Sequence, residues 1–157
     1  MAVSARHSAI ARAPPGVLWA RMADLESWPR WLHVPYAGES VTLASPADSG
    51  AEFVMKGRLA YRLFARVTDR QPERRLEFEI YRSEYPSDRL TFGHARIAIE
   101  LEPLEGGRTR VKCEHRLWGR GVAGRLYAAT VMRPFLATNV QRIVDALVLS
   151  APDPPSG

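Results

Sequence analysis

Between Glu39 and Trp118 apolar and polar residues alternate with a period of two, and from Val122 the apolar step changes to three and four. Period two describes a strand with one greasy and one wet face, and a step of three and four describes one face of a helix. Leu63, Ala65 and Val67 oppose Arg62, Phe64 and Arg66, with Tyr61 at the head of the apolar set. Leu76, Phe78 and Ile80 oppose Glu77, Glu79 and Tyr81. Ile97, Ile99 and Leu101 oppose Arg96, Ala98 and Glu100. Val111, Cys113, His115 and Leu117 oppose Arg110, Lys112, Glu114 and Arg116. Two further strands are expected over Glu39–Ala44 and Ala51–Leu59, the latter with Phe53, Met55, Gly57 and Leu59 on one face. The terminal stripe Val122, Leu126, Ala129, Arg133, Leu136, Val140, Ile143 and Leu147 spans about seven helical turns, with a kink expected at Pro134.

Ahead of these strands, Ser4–Ala13 reads as a first strand, stopped by Pro14-Pro15-Gly16. Val17–Ala23 and Asp24–Leu32 read as two short helices, the second interrupted by Pro29. Glu105-Gly106-Gly107-Arg108 is a hairpin turn. The order is therefore strand, two short helices, about six strands and one long helix. A curved antiparallel sheet needs its apolar face covered, and a single helix laid across it leaves part of the concavity unfilled. The expected fold is α+β, a sheet of about six to seven antiparallel strands wrapped around the C-terminal helix. Residues 1–150 form the expected domain and 151–157 a frayed tail.

Composition narrows the class. Charged residues make up 25% and hydrophobic residues 46%, as in ordinary globular chains. One cysteine, Cys113, excludes an intrachain disulfide framework. No apolar run reaches the roughly 18 residues of a membrane span, and Met1–Ile10 has no apolar core of a signal peptide, so a cytoplasmic location is expected. The net charge of +5 comes almost wholly from arginines that, apart from the pair Arg74-Arg75, are scattered one at a time, which reads as a solvated surface rather than a nucleic-acid footprint. The expected partner is a hydrophobic or aromatic small molecule, and the chain is expected to act as a monomer or homodimer.

Two segments resemble a known superfamily. Ala11–Ala20 together with Ala23-Asp24-Leu25-Glu26-Ser27-Trp28-Pro29-Arg30-Trp31 resembles the opening of the START-like, helix-grip (SRPBCC) proteins. These include the Bet v 1-like proteins and the polyketide cyclase/dehydrase and lipid-transport family. Leu101-Glu102-Pro103 through Gly107–Val111 is similar to that superfamily's late hairpin, so the resemblance spans residues 4–149. It implies a ligand cavity between sheet and helix, and either the binding of an apolar or aromatic small molecule by a polyketide cyclase/aromatase-like enzyme without a cofactor, or a non-enzymatic lipid or quinone carrier acting with a protein or membrane partner. The polar active-site residues of the aromatase/cyclase branch find no clear match.

The inward strand phase supplies the expected cavity lining: Phe53, Met55, Leu63, Phe78, Ile80, Ile97, Ile99, Cys113, His115 and Leu117. His115 reads either as a polar hook for a ligand oxygen, able to assist proton transfer, or as a hydrogen-bonded core histidine. Arg133, in phase with the helix stripe, reads either as a cation for a ligand carboxylate or enolate, or as a side chain that snorkels outward. These two are the candidate catalytic groups. Cys113 lies two residues from His115, but nothing in the sequence lowers its thiol pKa. Arg82 continues an inward phase towards the cavity mouth, and His94 takes an outward one. Trp19, Trp28, Trp31 and Tyr36 either gate the mouth or dock the short helices. Gly119-Arg120-Gly121-Val122-Ala123-Gly124 matches a dinucleotide fingerprint literally, but no second parallel strand follows it. Its glycines are expected to let the chain turn into the helix. No residue spacing suggests a metal site.

Overall fold

A computed structural model describes residues 2–44 and 50–150. The expected tail at 151–157 lies outside the described residues. Strand β1 (Val3–Ala11) leads into helix α1 (Pro15–Ala23), a short turn at Leu25–Ser27, and helix α2 (Trp28–Trp31). Pro15 and Pro29 both fall in first helical turns, where a missing N–H leaves no bond unmade. Strands β2 (Ser40–Leu43), β3 (Glu52–Lys56), β4 (Arg62–Gln71), β5 (Arg75–Ser83), β6 (Phe92–Leu104) and β7 (Arg108–Gly119) follow. The seven strands form one antiparallel sheet in the order β1-β7-β6-β5-β4-β3-β2. Helix α3 (Gly121–Tyr127), a π-helical turn (Ala128–Met132) and helix α4 (Arg133–Leu149) form the C-terminal helical segment. This is the α+β helix-grip architecture.

The alternation places its apolar set inward as expected. Leu63, Ala65, Val67, Leu76, Phe78, Ile80, Ile97, Ile99, Leu101, Val111, Cys113, His115 and Leu117 are all buried. On the outer face arginines and carboxylates pair, as in Arg66–Glu79 at 3.6 Å and Arg116–Glu114 at 2.6 Å. The short helices dock through Trp28, whose indole packs on Phe53 and Phe78 with ring centroids 5.9 and 5.4 Å away. Its Nε1–H donates to the Met22 carbonyl at 3.0 Å.

Three local readings are corrected by packing. Leu59 does not continue the inner face of β3: it is exposed, in a turn with φ 66°. The strand ends beforehand because Gly57 lies against the Pro35 carbonyl, where a Cβ would come within 2.1 Å. Arg82 faces outward, because a bulge at Tyr81 on β5, opposite Phe64 and Ala65 of β4, leaves Tyr81 unmatched and pairs Phe64 with Arg82. Its guanidinium lies over the Phe64 ring, 4.7 Å from the centroid.

The third correction concerns the helix. Leu136, Val140, Ile143 and Leu147 are buried, but Val122, Leu126, Ala129 and Arg133 are exposed. The buried residues in the first half are instead Gly124 and Ala128. Pro134 has no N–H, and its ring clashes with the carbonyl four residues earlier. At the expected kink the helix forms the π turn, with Pro134 in the first turn of α4. One extra residue in a turn rotates the helical phase by about 100°. A stripe drawn at constant pitch across residues 122–147 therefore cannot stay on one face.

Candidate functional site

Between the sheet and the first half of the C-terminal helical segment lies a cavity of about 390 Å³. That is within the usual size range for small-molecule sites, roughly 300–1,000 Å³. The sheet contributes Leu63, Ile80, Phe92, Ala95, His115 and Leu117, and the helical segment contributes Gly124, Tyr127, Ala128, Val131, Met132, Phe135 and Leu136. Pro35 and Tyr36 close one side, and Tyr85, Ser87, Asp88 and Thr91 another. Among these lining residues there is no Lys or Arg. Pro35, Ser87, Val131 and Phe135 are exposed and mark the opening.

Glycines permit the helix to begin where it does. Gly121 has φ 64°, and Gly119 and Gly124 touch so closely that a Cβ on Gly119 would come within 2.2 Å of the Gly124 backbone. A Cβ on Gly124 would approach the Thr91 carbonyl to 2.5 Å. The glycine triplet thus serves the turn and the close seating of α3.

Polar chemistry concentrates in two places. At the first, Asn139 Nδ2 donates to His115 Nδ1 at 2.9 Å. Accepting at Nδ1 puts the imidazole proton on Nε2, which has no partner among the described residues. Burial pushes the His115 pKa down to about 4, so the ring is neutral at pH 7. The Tyr36 hydroxyl is buried beside the Asn139 side chain, without a partner in full hydrogen-bond geometry. Burial raises its pKa strongly, the Asn139 side chain opposing the rise and the Cys113 thiol adding to it. At the second, the Ser83 hydroxyl donates to Asp88 Oδ2 at 2.5 Å. Burial raises the Asp88 pKa and outweighs that bond. The Tyr85 hydroxyl is a second buried, unpaired phenol, its pKa raised by burial and then by the charges of Asp88 and Glu39.

Of the residues anticipated for the site, the structure brings Leu63, Ile80, His115 and Leu117 to the cavity wall. Phe53, Met55, Phe78, Ile97, Ile99 and Cys113 are buried in packed core and do not line it. Arg133 is exposed and outside the wall, although at the start of α4 it keeps the phase of Val140. Burial raises the Cys113 pKa far above its usual value, which leaves no thiolate for nucleophilic attack at neutral pH. Trp19, Trp28 and Trp31 are absent from the wall, whereas Tyr36 lines it. His94 stacks on Trp118 with ring centroids 4.3 Å apart, and a register shift at Gly93 lets Phe92 turn inward.

Sequence reasoning gave no role to Asn139, Tyr85 or Asp88. Asn139 carried a signal: it sits three residues after Leu136 and four before Ile143, a polar residue on a buried stripe. Tyr85 and Asp88 lie in a connection without periodicity, so nothing local aimed them at a cavity.

A family model for polyketide cyclase/dehydrase and lipid transport matches residues 2–151. The chain belongs to this family. The family assignment agrees with the solved structures it resembles. The aromatase/cyclase Zhui from Streptomyces sp. R1128 superposes with a TM-score of 0.74 at 16% identity, over 96% of this chain and 94% of that one. Norcoclaurine synthase from Thalictrum flavum gives 0.72 at 13% identity, over 95% and 86%. One di-domain aromatase/cyclase, StfQ of the steffimycin biosynthetic pathway, gives 0.76 at 12% identity, over 96% of this chain and 51% of that one. At these identities the likeness establishes the fold. No curated protein matches the chain in sequence.

Proposed function

We propose that the protein binds an uncharged, largely apolar or aromatic small molecule in the cavity between the sheet and the C-terminal helical segment. The observation that carries this reading is the wall itself: apolar over most of its extent, free of cationic side chains, with the His115 imidazole as a hydrogen-bonding group. A buried donor left unpaired costs about 1–3 kcal/mol, so a ligand oxygen that engages the His115 Nε2–H gains directional affinity. A carboxylate-bearing ligand meets no cation here and faces Asp88 instead.

Asp88 favours a second reading, in which the protein is a cyclase-like enzyme that needs no cofactor. A half-buried carboxyl with a raised pKa in a cleft is suited to proton abstraction. On a poly-β-ketone, Asp88 takes the proton between two carbonyls and the His115 Nε2–H stabilises the enolate oxygen. The enolate carbon attacks a ketone further along the chain, whose oxygen takes up the proton, and loss of water follows. Arg133 has no part in this sequence.

Titration with the uncharged aromatic probe N-phenyl-1-naphthylamine tests the first reading. Saturable binding is expected, and Ala95→Leu, which adds bulk to the wall, weakens it at least about tenfold. Equal binding by that variant places the probe elsewhere and overturns the cavity assignment. Deuterium exchange at the central carbon of a model 1,3-diketone tests the second. Acceleration lost in Asp88→Asn supports catalysis; no acceleration by the unmodified protein leaves a carrier.

A further inference from the structure

We infer that the exposed face around the cavity opening is a docking surface for an anionic lipid bilayer, from which the cavity takes or to which it delivers its ligand. The inference builds on the proposed ligand cavity but stands on different residues. Val122 and Leu126, one turn apart on α3, are 77% and 66% exposed, and Leu90 is 82% exposed. Leu90 belongs to the same face, because the neighbouring Thr91 accepts a hydrogen bond from the Arg120 N–H at 2.8 Å and abuts Gly124. Val131 and Phe135, at the opening itself, are a further pair of exposed apolar side chains on the same helical segment. Isolated surface leucines need no explanation, but a contiguous set beside a cavity mouth marks an interaction site.

Charge identifies the occupant. From His115 to Val144 the chain contains five arginines and no aspartate or glutamate. Arg120, Arg125 and Arg133 flank the exposed apolar residues, and Arg89 adjoins Leu90. Among the described residues none of these four has a carboxylate within 4 Å, in contrast to Arg62, Arg66, Arg75, Arg110 and Arg116 on the sheet. The acids of the nearby connection are engaged elsewhere: Asp88 with Ser83 and Glu84 with Arg62. A second copy of the chain, paired face to face, would set arginine against arginine. The apolar side chains project as separate prongs, for which a folded partner must supply matching pockets. Fluid acyl chains accept prongs of any arrangement, and anionic headgroups satisfy the arginines around them. No described helix is long and apolar enough to cross a membrane, so the contact is superficial.

The test is sedimentation with phosphatidylcholine vesicles, with and without phosphatidylglycerol, at low and high salt. Binding is expected only to the phosphatidylglycerol vesicles and is expected to weaken as salt rises. Arg120→Glu and Arg125→Glu should each weaken it about fivefold or more. Leu126→Asp should weaken it at least about tenfold. All three variants retain binding of N-phenyl-1-naphthylamine in solution, since none of the three residues lines the cavity. Equal partition to neutral and anionic vesicles, absence of binding to both, or wild-type binding by Leu126→Asp overturns the inference. So does a concentration-dependent dimer, without vesicle binding, that Leu126→Asp dissociates. Loss of probe binding with vesicle binding intact instead removes the cavity reading and leaves the membrane surface standing.

Discussion

The two ends of the C-terminal helical segment meet the same sheet and do opposite things. Over α4 the helix packs on β1 and β7, and Val140, Ile143, Val144 and Leu147 are buried with no space left beneath them. Over α3 and the π turn, the buried helical residues are Gly124 and Ala128, and the facing sheet offers Ala95 beside Leu117. Small side chains on both layers, with a change of helical phase between the two ends, leave a hollow where the other end is solid. Tight packing at one end holds the helix in place while the other carries the opening. His115 and Asn139 sit at the join, and their hydrogen bond satisfies two buried polar groups that neither a solid core nor an open cleft would otherwise require.

The sharpest way to break this comparison is one substitution made at both ends. Val140→Asp buries an unpaired carboxylate and is expected to cost about 3–5 kcal/mol, read as the shift in urea midpoint at constant slope. An unchanged midpoint would mean that α4 does not pack as described.

A smaller effect follows from His115. Its folded pKa, about 4, lies below the ordinary histidine value of 6.5. The unfolded chain therefore binds more protons between those values, and protons favour unfolding there. Stability from this group is complete above about pH 6.5 and is lost as pH falls towards 4, by about 3 kcal/mol in total. His115→Leu should flatten that part of the stability–pH curve. A curve with the same slope in the variant would assign the pH dependence to other groups.

The smallest expected effect comes from the far end of the helix. Leu126→Asp, chemically close to Val140→Asp, should change stability by less than about 0.5 kcal/mol, since the side chain is exposed before and after. A loss comparable with that at Val140 would show that Leu126 is covered in the folded protein.

Much of this fold was legible in the residues themselves. Strand phase is sharp, because a one-residue slip turns every side chain to the opposite face. The sets Leu63–Val67, Leu76–Ile80, Ile97–Leu101 and Val111–Leu117 therefore identified the inner surface of the sheet without any tertiary information. The step of three and four from Leu136 to Leu147 likewise identified the buried face of α4. Phase reports which side of an element is covered, but it carries no information on the distance to the opposing layer. Phe78, Ile97 and His115 share one face of the sheet, yet the first two meet side chains and the third meets the cavity. That difference is set by the bulk of residues remote in sequence, such as Ala95 and Ala128. The reach of periodicity also ends wherever the backbone gains a residue. The bulge opposite Phe64 turned Arg82 outward, and the π turn before Pro134 rotated Val122 and Leu126 out of the stripe to which their spacing assigned them. Local composition determined the elements and their faces; the packing of one layer against another decided where the protein is hollow and which polar groups meet there.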